Sequence, residues 1–179
     1  MTMPTSLATD LATLIDRDLR ALRRELEAYS DERQLWQAVP GLPNSAGTLA
    51  LHLAGNLQHY VGARWGGTGY VRNREAEFAR RDVPRAELIA EVERARSAVA
   101  AGLAAVSQAE LAADFPEVVA RSRVRTSEYL IHLALHAAYH LGQLDAHRRV
   151  VTGNAAGVGA LRPDELGSAR PAGADAGSP

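Results

Sequence analysis

Neither cysteine nor lysine occurs among the 179 residues. Without cysteine there is no disulfide, no thiolate nucleophile and no sulfur-ligated zinc site. Without lysine there is no Schiff-base chemistry on an ε-amine. All 20 basic side chains are arginine, set against 21 acidic ones for a formal charge of −1. That balance lacks the basic excess of a dedicated nucleic-acid binder, so no nucleic acid is expected as a partner. No stretch approaches the ~18 uninterrupted apolar residues of a membrane helix. Residues Met1 to Asp18 show no cationic segment followed by an apolar one. The expectation is a cytoplasmic protein with no membrane partner. The length suits one domain with a real core.

What is present is helical periodicity, in four segments, with no sustained strand-like alternation. The first runs from about Ser6 to Tyr29, with Leu7, Leu11, Leu14, Ile15, Leu22 and Leu26 on one face. Ser30 and Asp31 end it or cap a short extension through Leu35 and Trp36, before Pro40, Gly41 and Pro43 break the chain. The second starts near Ser45 or Thr48 and continues through Leu49, Leu53, Leu57, Tyr60 and Val61 to Gly66-Gly67. A polar linker spans Thr68 to Asp82. Asp82 precedes the third helix and Pro84 suits its first turn; the helix carries Leu88, Val92, Ala95, Val99, Leu103 and Val106. Thr126 and Ser127 cap the fourth, which reaches about Val151. The fold class expected is all-α, a four-helix bundle over residues 1–152 with long inter-helix connections. Residues 153–179, rich in Gly, Ala and Pro, lack apolar area and are expected to be disordered.

The six histidines fall only in the second and fourth helices: His52 and His59, then His132, His136, His140 and His147. A spacing of four residues puts two imidazoles on one helical face, ~5–6 Å apart at Cβ, so both reach one ion. A spacing of eight, ~12 Å along the axis, does not. The candidate pairs are His132/His136 and His136/His140. Interior placement on a helical wheel favours the second, with His52 as the natural third ligand from a facing helix. A lone helical histidine is more often structural than a ligand, and His59 and His147 are read as exposed or supporting residues.

Two segments carry a family likeness. Leu51-His52-Leu53-Ala54-Gly55-Asn56-Leu57 and His136-Ala137-Ala138-Tyr139-His140-Leu141-Gly142-Gln143-Leu144 resemble the DinB/YfiT-like superfamily of metal-binding four-helix bundles. The shared pattern is one histidine early in the second helix, then H-x-x-x-H closely followed by Gly-Gln. Arg72-Asn73-Arg74-Glu75-Ala76-Glu77-Phe78-Ala79 also looks like the linker of an uncharacterised branch, and the likeness spans about residues 6–150. It implies metal ligands at His52, His136 and His140, and a divalent ion, often zinc or nickel. Where many members carry a basic residue before Gly-Gln, this chain has Leu141. The likeness also implies thiol S-transferase or hydrolase activity on a small molecule, and a homodimer.

Three neutral imidazoles leave a divalent ion its full charge and an open position. Either water or a low-molecular-weight thiol can be activated there. Asn56, one turn beyond His52, and Gln143, beyond His140, are candidate supports for the ligands or a bound water, and His132 is a third. Arg72 and Arg74 are candidate clamps for a substrate anion, although a solvated loop is the commoner role. No carboxylate stands at an obvious general-base position: Glu128, one turn before His132, lies too far along the axis to be assumed as one. A noncatalytic metal- or ligand-binding bundle, and a dimeric interaction module, are the alternatives. Ile131, Ala134, Leu135 and Ala138 make the far side of the fourth helix apolar, as a subunit interface requires.

Overall fold

A computed structural model describes residues 6–172. Among these residues the chain is all-α, with isolated bridges but no strand. Helix α1, Leu7–Glu27, begins where the Ser6 hydroxyl accepts the N–H of Thr9. Asp31 then caps a 3-10 turn, Glu32–Trp36, in a reciprocal box with Gln34. Ser45 caps helix α2, Ala46–Leu57, which widens into a π-helical turn at Gln58–Ala63. Helix α4, Arg85–Ala105, follows Pro84, which occupies the capping position rather than the first turn. The last helix, α6, Thr126–Thr152, stops at Gly153, whose φ of 66° is left-handed.

These four long elements enclose one core. Helix α1 packs on α4 and α6, and α2 packs on the same two. Leu22, Leu53, Leu88 and Leu133 are almost fully buried between them, each stabilising the fold by roughly 1.5–3 kcal/mol. Every residue of α2 is buried, His52 and Asn56 included. Its polar side chains are therefore held inside the protein. Helices α2 and α6 run antiparallel: His52 meets His136, whereas Tyr60, in the π-helical turn that continues α2, meets Tyr129, earlier on α6.

The connections hold structure that the periodicity does not reveal. The polar linker contains helix α3, Arg74–Ala79, where Asn73 Oδ1 accepts the N–H of Ala76. Six residues are too few for an apolar period to show. Between α4 and α6, Ser107 and Glu110 cap helix α5, Gln108–Ala112, in another reciprocal box. A small hairpin follows. The Phe115 N–H donates to Val124 O at 2.8 Å, and Val119 and Ser122 exchange two bonds. Its tip, Ala120 and Arg121, has φ of 48° and 66°, the conformation of a tight two-residue turn usually made by Asn-Gly. Thr126 does not cap α6. It is the first helical residue, and its N–H donates to Ala113 O instead.

The expected disorder of the last segment is not what residues 153–172 show. Arg148 donates to the carbonyls of Asn154 and Ala156, and Arg24 to those of Val158 and Gly159. Glu165 lies between Arg20 and Arg24. Arginines reaching out from α1 and α6 bind this strap by its backbone, which composition alone does not disclose. The rest of the predicted tail, residues 173–179, lies outside the described residues. No helix among the described residues is long and apolar enough to cross a membrane.

Candidate metal centre

His52, His136 and His140 come together between α2 and α6, with one ring nitrogen from each lying within 4.8 Å of the others. Nε2 of His136 stands 3.4 Å from that of His52 and 3.1 Å from that of His140. A tetrahedral ion with metal–nitrogen bonds of ~2.0–2.1 Å places its ligand nitrogens roughly 3.3–3.4 Å apart. Two of the three nitrogen pairs lie close to that spacing.

Two of the three rings are fixed from behind. Nδ1 of His52 donates to Glu77 Oε2 at 3.0 Å, and Nδ1 of His140 donates to Gln143 Oε1 at 2.6 Å. With the proton on Nδ1, each Nε2 turns a lone pair toward the cluster. Burial, then the neighbouring imidazoles of His140 and His52, depress the pKa of His136 to about 4. Burial also lowers that of His140, against the opposing pull of Gln143. These two rings are neutral at ordinary pH, as ligands must be. Lone pairs this close repel one another, and a cation among them turns that repulsion into binding. The donor set therefore fits a divalent ion.

Glu77 had no assigned role in the sequence reading, although it lies within the linker motif. It is buried, and Arg72 holds it with two bonds, 2.7 Å to Oε1 and 2.8 Å to Oε2. Burial pushes its carboxyl upward, but the bonds from Arg72 and His52 prevail and leave it below its usual range. Arg72 is thus engaged with Glu77, and stacks over Tyr60 at 5.5 Å, instead of standing free for a substrate. Gly55 makes room: a Cβ there would collide with the Glu77 carboxylate.

The cluster opens on a cavity of about 550 Å³ whose lining includes His52, Asn56, His132, His136 and Glu128. Val119 and Val124 of the hairpin form an apolar wall, anchored by Phe115 against Tyr60, Trp65 and Tyr129. Arg74 lies at the cavity wall with its guanidinium 5.0 Å from the Phe78 ring centre. His132 stacks on Tyr129 and lies 6.1 Å from His136, ring to ring, without a hydrogen bond to the cluster. Asn56 Oδ1 is buried with no partner. Of the two remaining histidines, His59 pairs with Glu117. His147, expected to be exposed or supporting, is fully buried and away from the cluster. It bonds the Tyr29 hydroxyl and the Gln37 carbonyl, both at 2.8 Å, tying α6 to the residues just past α1 and just past the 3-10 turn.

No match is found among curated proteins or among solved structures. A family model described as Mycothiol-S-transferase matches residues 10–153, which include all three clustered histidines and the linker carrying Glu77. On that match the chain belongs to the mycothiol S-transferase family, within the DinB/YfiT-like superfamily.

Proposed function

We propose that the protein is a metal-dependent thiol S-transferase, in which His52, His136 and His140 hold one divalent cation, zinc or nickel. Helices α1, α2, α4 and α6 are read as a DinB-like four-helix bundle around that site. The observation that carries the proposal is the convergence of three ring nitrogens beside a cavity that His52 and His136 line. The family match supports a thiol, mycothiol or a similar small molecule, as one reactant.

A divalent cation in such a cage supplies Lewis acidity, which favours the thiolate form of a thiol. The chain does the rest. Neutral imidazoles leave the cation's charge undiminished, while Glu77 and Gln143 hold two rings in the ligating tautomer. Val119 and Val124 give the reactants an apolar surface on one side of the cavity. Arg74 and Glu128, at the cavity's edge, offer one charge of each sign to the polar ends of the reactants. On the far side of α6, Ile131 and Leu135 are exposed, Leu135 to 66%. We read this stripe as the contact with a second copy in a homodimer.

The test begins with elemental analysis of the purified protein. About one equivalent of divalent metal is expected, lost in His52→Ala and His136→Ala. Conjugation of a small thiol to an aryl halide should require the metal. Metal retained in both variants, or ester hydrolysis without any thiol-dependent reaction, would overturn the proposal.

A further inference from the structure

Two side-chain atoms at the back of the cavity are buried without a partner, Asn56 Oδ1 and His136 Nδ1. Both residues line the same cavity, and Asn56 is only 7% exposed. Their positions along the helices correspond. His52 faces His136 with ring centres 5.2 Å apart, and Tyr60 faces Tyr129 at 5.3 Å. Asn56 lies midway between His52 and Tyr60, so on the antiparallel α6 it stands opposite the turn from His132 to His136. An amide oxygen can only accept, and a protonated Nδ1 can only donate. The two orphans are complementary.

The other two rings show the pattern that is missing here. His52 has the Glu77 carboxylate behind it and His140 has the Gln143 amide. We infer that Asn56 is the positioning residue for His136, its Oδ1 accepting the Nδ1–H when Nε2 of that ring binds the cation. This inference rests on the metal reading given above. The bond is absent from the cluster as it stands, and a reorientation of the His136 ring makes it. The choice of an amide has a consequence. The one anionic support, Glu77, is already neutralised by Arg72, whereas Gln143 and Asn56 add no charge. The cation keeps its full Lewis acidity while all three tautomers are fixed.

The experiment is a zinc titration of stripped protein against a chelating chromophore, for wild type, Asn56→Leu, Asn56→Asp and His136→Ala. Asn56→Leu should weaken zinc binding by about 10–100-fold, with unfolding of the metal-free protein unchanged or shifted upward, since an unpartnered buried polar atom is removed. Asn56→Asp, which retains the acceptor, should recover most of the affinity. In zinc-loaded wild type, nitrogen-15 NMR should show a His136 Nδ1–H protected from exchange with water, a readout that needs no variant. Wild-type affinity in Asn56→Leu, or rapid exchange of that proton, overturns the inference. Full zinc binding by His136→Ala instead overturns the metal reading beneath it, so the two failures are distinguishable.

Discussion

Glu77 places Oε2 3.0 Å from Nδ1 of His52, across the gap between α3 and α2. The contact depends on Gly55, in the middle of α2, where glycine costs about 1 kcal/mol relative to alanine. A methyl group at that position would occupy the space of the Glu77 carboxylate. The helix gives up some intrinsic stability so that a carboxylate can lie against its backbone and orient the His52 ring one turn earlier.

Glu77→Gln should therefore lower metal affinity by about 10–100-fold, because an amide holds the His52 proton less strongly than a carboxylate does. Gly55→Ala should act in the same direction by displacing the carboxylate. Metal titration checks both, with circular dichroism confirming that the helices persist.

Stability of the metal-free protein should fall as pH drops from about 6.5 towards about 4. The His136 pKa is depressed from 6.5 to about 4 in the folded chain. Between those values the unfolded chain takes up a proton that the folded chain refuses, so acid favours unfolding. His136→Asn should flatten this part of a urea-denaturation profile measured across pH.

Arg148 is 1% exposed at its side chain, and its partner Glu25 is fully buried. Arg148→Ala would leave the Glu25 carboxylate buried and uncompensated and would free the strap at Asn154 and Ala156. A loss of about 3–5 kcal/mol is expected in denaturant unfolding. Limited proteolysis should then cut within residues 153–172.

Ala120 and Arg121 form the hairpin tip with left-handed backbones that carry a Cβ. Ala120→Gly should stabilise the protein by about 1 kcal/mol through relief of that strain, read as a higher midpoint in thermal unfolding.

Leu135→Glu should convert a dimer to a monomer in light scattering at micromolar concentration, with metal content unchanged. A wild-type monomer under the same conditions would remove the stripe's assignment as a subunit contact.

Helices α1, α4 and α6 were legible because each buries an apolar stripe, which recurs every three or four residues, and α2, buried on all sides, because its leucines keep the same helical spacing. Ser6, Asp31 and Ser45 mark starts in the chain because a capping oxygen bonds an N–H two or three residues on. The spacing of His136 and His140 likewise translates directly into one helical face. The short helices α3 and α5 escaped notice because five or six residues carry no period. The hairpin escaped because its tip uses Ala-Arg where Asn-Gly would have signalled a turn.

Local spacing and residue type thus sufficed for an all-helical chain and for placing His136 and His140 on one helical face, whereas their meeting with His52 depends on how two helices dock. The first two are properties of neighbours in sequence, transmitted through helix geometry. The bonds between Glu77 and His52, between Arg24 and the strap at Val158, and between His147 and Tyr29 span 25, 134 and 118 positions. Whether a given charge meets a histidine, an arginine or water depends on how the helices dock, and docking is settled by the packing of the whole core.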